Sequence, residues 1–168
     1  MELYKKLRVF GIVEESVVDG DGLRFVLFLQ GCKRACPGCQ NKASWDLSGG
    51  KLMEIEEVLE KIDDPLISGV TFSGGEPFLQ AENLTVLAKK IKEKNLNIWC
   101  YTGNTYEEII EQADKAEIEL LNYIDVLVDG DFREDLRDLT LKFRGSRNQR
   151  IIDMVKTRKV GKVILKYE

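Results

Sequence analysis

The sequence predicts an α/β fold on a mainly parallel sheet, and two observations carry that expectation. Short continuous runs rich in β-branched and aromatic residues (LRFVLFLQ at 23–30, GVTF at 69–72, NIWCY at 97–101, IDVLV at 124–128) alternate with stretches of helical periodicity. Each run also leads into a loop rich in chemistry: GCKRACPGC, SGGEP, YTGNT and VDGDF. Right-handed crossovers bring the C-terminal ends of parallel strands to one edge. The four loops therefore meet on the face where folds of this class hold their sites.

The elements follow in order. Residues 9–13 are a candidate extra edge strand, and 23–30 is the strand that enters the cysteine loop. Leu52, Ile55, Val58, Leu59 and Ile62 recur at three- and four-residue spacing, which predicts a helix over 52–62. The strand at 69–72 is followed by a helix at about 80–94, with Leu84, Leu87, Ala88 and Ile91 on one side. After the strand at 97–101, Thr105 and Glu108 form a capping-box pattern that opens a helix to about 115. The strand at 124–128 ends in Asp129-Gly130, and the tail predicts a helix near 149–156 and a last strand at 162–167. No repeat, low-complexity tract or linker divides the 168 residues, so a single domain over 1–168 is expected.

Composition narrows the function. Lys and Arg number 25 against 29 Asp and Glu, a net charge of −4 with mixed signs, which gives no surface for nucleic acid or membrane. The N-terminal stretch MELYKKLRVFGIVEESVVDG has no apolar core of signal-peptide length, so a cytoplasmic protein with reduced thiols is expected. There is no histidine. Ser-His and Cys-His nucleophile pairs, His-ligated zinc and a histidine base are all excluded. What remains is cysteine, carboxylate, Lys or Arg, backbone, or a bound cofactor.

Three of the four cysteines, Cys32, Cys36 and Cys39, lie within eight residues. Three thiolates on one loop can cap three corners of an iron–sulfur cube and leave the fourth iron open, whereas purely electron-carrying clusters take four. Pro37 and Gly38 suit a tight turn before the third thiol. Other readings stand beside this one. Cys100 could complete a four-thiolate zinc site, although it sits alone in an apolar strand, where a buried small hydrophobe is the ordinary reading. Cys36-Pro37-Gly38-Cys39 also has the spacing of a redox dithiol, without a thioredoxin-like order of elements. The second motif, Ser73-Gly74-Gly75-Glu76-Pro77, follows a strand directly. Its paired glycines let a ligand approach bare backbone, and Glu76 could pair with an ammonium group. Taken alone it reads first as a glycine turn with a surface glutamate, and the cysteine loop one βα unit earlier reverses that order.

Together the two motifs resemble the radical S-adenosylmethionine (SAM) superfamily. VVDGDGLRFVLFLQGCKRACPGCQNKASWD, SGGEPF, YTGNTYEE, DVLVDGDF and LKFRGSRNQRIID, in that order, resemble one branch of it, the activating proteins of anaerobic (class III) ribonucleoside-triphosphate reductases. The likeness covers about residues 10–155.

The resemblance implies an open partial (β/α) barrel of the radical SAM type, whose lateral gap would admit a glycine-bearing loop of the partner. It implies a [4Fe-4S] cluster on Cys32, Cys36 and Cys39, with SAM closing the open iron through its amino and carboxylate groups. Reductive cleavage of SAM to a 5′-deoxyadenosyl radical would then place a glycyl radical on the reductase. Flavodoxin or ferredoxin would be a fitting electron donor. Ser73, Gly74, Gly75 and Glu76 become contacts for the SAM amino group, and Gly38 and Gln40 backbone contacts beside the third ligand. Thr102 and Asp129, at two further strand ends, are SAM or radical-site candidates, with capping and turn roles as the alternative. The segment 143–150 is read as a site rim, a partner-facing surface or a solvated loop.

An activating enzyme of the pyruvate formate-lyase type remains the same-chemistry alternative. A non-catalytic zinc protein or an electron-transfer iron–sulfur protein differs in kind. The chain departs from the family pattern at Asp19-Gly20-Asp21-Gly22, where DGPG is usual, and at Lys33, Arg34 and Gln40 around the cysteines.

Overall fold

A computed structural model describes residues 5–167. Residues 1–4, part of the stretch read for a leader, and residue 168 lie outside the described part. Seven strands are described: β1 (Lys6–Ser16), β2 (Arg24–Leu29), β3 (Lys51–Glu54), β4 (Gly69–Gly74), β5 (Asn97–Tyr101), β6 (Val126–Asp129) and β7 (Arg150–Asp153). They form one sheet in the order β3-β1-β2-β4-β5-β6-β7. The central pairs β2–β4, β4–β5 and β5–β6 are parallel. Both margins are antiparallel, through β1–β2 and β1–β3 on one side and β6–β7 on the other. No pairing joins β3 to β7, so the sheet stays open.

The helices are α1 (Ile55–Ile62), α2 (Ala81–Glu93), α3 (Tyr106–Gln112), α4 (Lys115–Leu121) and α5 (Met154–Val160). Outside the irregularities of β1, the strands alternate between two faces. Phe25, Leu27 and Leu29 of β2, Phe72 of β4, and Ile98 and Cys100 of β5 share one apolar cluster with Val58 of α1 and with Leu84, Leu87 and Ile91 of α2. The opposite face carries a smaller cluster of Trp99, Val126, Val128 and Ile151, on which Tyr101 and Phe143 pack.

On that second face lies Arg24, fully buried in β2. Its guanidinium donates to Thr71 Oγ1 (2.8 Å), Val70 O (2.9 Å), Asn97 Oδ1 (2.7 Å) and Asp21 O (2.9 Å), and stands 5.6 Å over the Trp99 ring. Burial lowers its pKa to about 10. One side chain thus stitches the β1–β2 turn to β4 and β5. Its place in a strand pattern carried no sign of this.

The margins depart from the sequence reading. Residues 51–54 pair with β1, so the helix begins only at Ile55, behind a reciprocal cap between Glu54 and Glu57. Leu52 is therefore half exposed and lies off the helix face. The helix expected to run from Thr105 to about 115 stops at Gln112, because Ala113 turns left-handed (φ 53°) and Asp114 caps a new helix. Residues 150–153, expected as helix, form β7. Ile151 and Ile152 suit a sheet margin, and the helix starts one cap later at Asp153. Over 162–167 a single bridge from Leu165 to Ile152 replaces the expected strand.

Candidate active site at the C-terminal ends of the parallel strands

The cysteine loop is anchored at both ends before the thiols are reached. Gly31 N–H donates to Ser44 O (2.6 Å) and Cys32 N–H to Trp45 O (3.2 Å). Gln30 Nε2 donates to the carbonyls of Ala43 (3.1 Å) and Asp46 (2.8 Å). Cys39 N–H donates to Cys36 O (3.1 Å), closing the turn around Pro37 and Gly38, with Gly38 at φ 79°. Glycine is required there for that conformation.

All three loop thiols line one cavity of about 170 Å³, together with Ser73, Gly74, Gly75, Glu76 and Thr102. Burial pushes the Cys32 and Cys36 thiols up, so a bound metal would be what holds them as thiolates. Among the described residues, no three Cys, Asp or Glu side chains converge on one point as the ligands of a single ion would. A cluster takes one thiolate per iron and needs no such convergence. The donor set is sulfur alone, which suits iron–sulfur chemistry. Cys100 is fully buried on the helix face of β5, with its thiol pushed well up by burial. It does not line the cavity.

The β4 loop is pressed against β2. Glu76 N–H donates to Gly31 O (2.7 Å). A Cβ at Gly74 would collide with the Leu29 backbone, and one at Gly75 with the Gly31 and Leu29 carbonyls. The two glycines therefore let the cysteine loop and the β4 loop lie backbone to backbone. Asn41 adds a tie, its Nδ2 donating to Gly74 O (3.2 Å).

Glu76 is not a surface residue, being 5% exposed. Its carboxylate accepts from Phe78 N–H (3.1 Å), Gly103 N–H (2.8 Å) and the Thr102 hydroxyl (2.9 and 3.0 Å). Burial raises its pKa, against the pull of these three donors and of Arg34. The carboxylate thus fastens the β5–α3 loop to the β4 loop, and little of it is left free for a ligand.

Three sequence candidates stand outside this cavity. Gly38 faces the Glu134 side chain. Gln40 borders a neighbouring cavity of about 370 Å³, which shares Tyr101 and Phe132 with the first. Asp129 is buried, and its oxygens accept from Arg150 (3.0 and 2.5 Å) and from Tyr106 N–H (2.8 Å). Arg150 also bonds Glu107 at 2.5 Å, so the 143–150 segment turns one cation inward, while Gln149 reaches the cavity.

Sequence reasoning missed Tyr101, Gly103, Phe132 and Gln149 as lining residues. Tyr101 and Gly103 flank Thr102 at a strand end and could have been found from that position. Phe132 closes the VDGDF loop and Gln149 lies in the 143–150 segment, so both stretches were marked by the sequence, though not these two side chains.

A family model described as a 4Fe-4S single cluster domain matches residues 18–152. Curated relatives called anaerobic ribonucleoside-triphosphate reductase-activating protein are similar over most of their length. That of Pasteurella multocida is 40% identical over 145 residues, covering 80% of this chain and 89% of its own. That of Haemophilus influenzae is 38% identical over 143 residues, covering 80% and 90%. That of Enterobacteria phage T4 is 33% identical over 141 residues, covering 80% and 86%. Among solved structures, QueE from Escherichia coli aligns with a TM-score of 0.48 at 19% identity, over 60% of this chain and 54% of that one.

Proposed function

The chain belongs to the family of anaerobic ribonucleoside-triphosphate reductase-activating proteins, and from that premise we propose that it generates the glycyl radical of such a reductase. The observation that carries the proposal is the meeting of three thiols and the Ser73–Glu76 backbone in one cavity at the strand ends.

Cys32, Cys36 and Cys39 would hold a [4Fe-4S] cluster, and SAM would lie across Gly74 and Gly75. When bound, the cluster supplies the electron that splits the SAM sulfonium into methionine and a 5′-deoxyadenosyl radical able to take a hydrogen atom from a glycine. The chain's own residues bind, orient and exclude. The Ser73–Gly75 backbone on the cavity wall would face an ammonium group, Gly74 O also accepting from Asn41, and the buried Glu76 carboxyl fastens this loop to the β5–α3 loop. Cys100 stays out of the chemistry, buried under α2. The open sheet would leave lateral access, and the cavity bordered by Gln40, which shares Tyr101 and Phe132 with the thiol cavity, would be the approach. A glycine-bearing loop of the reductase would enter there.

The electron would come from a reduced flavodoxin or ferredoxin. Its mixed charges and net −4 fit a single domain that acts in the cytoplasm without nucleic acid. No described helix is long and apolar enough to cross a membrane.

Anaerobic reconstitution tests this. The protein should take up about four irons per chain and, with SAM and reductant, release 5′-deoxyadenosine. Electron paramagnetic resonance should then detect a glycyl radical on an anaerobic ribonucleotide reductase and none on pyruvate formate-lyase. One tightly bound zinc and no iron, or a radical on the lyase alone, overturns the proposal.

A further inference from the structure

Arg34 lies between the first two cysteines. It is also the loop residue whose side chain reaches across the cavity mouth. Nη2 donates to Asn104 Oδ1 (2.6 Å) and pairs with Glu108 Oε2 (3.4 Å), joining the cysteine loop to the β5–α3 loop and to α3. Its Cδ and Nε lie on Gly103, where a Cβ would overlap both. The following residue, Ala35, is left-handed (φ 51°), a conformation that a residue with a Cβ adopts only when its surroundings impose it. Arg34 borders the thiol cavity and the two hollows flanking it.

We infer that Arg34 is a positioning residue: it clasps the cysteine loop to Gly103 and Asn104, and so keeps Cys32 and Cys36 set for the cluster with a fixed cation beside it. The inference rests on the reading of the three thiols as cluster ligands. The ion pair with Glu108 is 30% and 48% exposed, and pairs so exposed contribute little. The holding is done by the bond to Asn104 and by the fit of the stem on Gly103. Lysine could restore the charge but not the planar fork and its stacked stem.

Two separable consequences follow. Mechanically, the loop opens less often, which shields its thiols and slows loss of iron. Electrostatically, a nearby cation favours the reduced, more negative cluster, so the midpoint potential sits higher with Arg34 than without it.

The test compares wild type with Arg34→Gln, Arg34→Lys and Gly103→Ala. In cluster-free protein, reaction of the loop thiols with Ellman's reagent is followed, with Cys100 as the slow internal reference. In reconstituted protein, iron loss to a chelator and the midpoint potential are measured. Arg34→Gln should react about tenfold faster, the change for one lost charge-assisted hydrogen bond, lose iron faster, and show a lower potential. Arg34→Lys should keep the wild-type potential yet react fast. Gly103→Ala, which displaces the guanidinium without removing it, should also react fast. Wild-type thiol rates in Arg34→Gln or Gly103→Ala overturn the clasp, as does full protection by lysine. If wild type takes up no iron, the cluster reading fails instead, and the thiol rates still decide the clasp.

Discussion

Replacing Thr102 by valine removes one hydroxyl and changes almost no volume, so the loss reads directly on the Glu76 network. In the native site Oγ1 donates toward both Glu76 oxygens, at 2.9 and 3.0 Å. It also accepts from the Asn104 backbone N–H and Nδ2, both at 3.1 Å. A hydrogen bond to a charged group contributes about 1.5–3 kcal/mol, and a part-buried N–H left unpaired costs about 1 kcal/mol more. The expected destabilisation is therefore about 3 kcal/mol, a large share of the roughly 5–15 kcal/mol that holds a domain of this size.

The pH dependence has a definite sign. Burial raises the Glu76 pKa above its ordinary value of 4.5. Stability from such a carboxyl is fully present below its unfolded pKa and is lost as pH rises through the higher folded pKa. Without the Thr102 donor the folded pKa rises further. The deficit of Thr102→Val is thus larger at about pH 7 than at about pH 4, where Glu76 is mostly protonated in both states. Urea unfolding of cluster-free protein at the two pH values measures it, with Thr102→Ser, which keeps the hydroxyl, as control. A neutral-pH deficit under about 0.5 kcal/mol, or an equal deficit at both pH values, would refute the reasoning.

Gly75→Ala drives a methyl into the Gly31 and Leu29 carbonyls. It should cost about 1–3 kcal/mol and suppress 5′-deoxyadenosine formation; unchanged melting and turnover would contradict the backbone-to-backbone account. Cys36→Ala should abolish SAM cleavage and stable cluster binding. Cys100→Ala, at about 1 kcal/mol of stability, should retain iron and most activity, and iron loss there would mean the strand thiol is a ligand. Arg24→Ala removes the donor to five acceptors and the cation over Trp99. It should cost about 3 kcal/mol or more in thermal unfolding, and a melt within a degree of wild type would show that solvent replaces it.

Residue by residue, legibility followed locality. The four buried strands were readable because apolar runs flanked by helical periods have few other solutions. The Thr105 cap was readable because its partner stands three residues away, and Glu108 N–H does donate to Thr105 Oγ1 (3.1 Å). The antiparallel margins were not, since whether residues 51–54 and 150–153 become strands depends on a neighbouring strand distant in sequence. Glu76 shows the same divide within one residue. Its position at a strand end beside paired glycines was visible, while its burial under Thr102 and Gly103 needed β5 in place. Asp129 occupied an equally promising strand end, yet Arg150, twenty-one residues on, takes its carboxylate.

By itself the sequence determined the class of fold, the edge on which the loops gather, and the chemistry open to a chain with three clustered thiols and no histidine. These follow from periodicity and composition, which act over a few residues. Only the tertiary structure decided which strand-end groups meet in the cavity and that Cys100 faces away from it. It also decided that Arg34 spans the mouth to Asn104, a partner seventy residues away. Such partners are selected by the assembly of the sheet from distant strands, which no local pattern encodes.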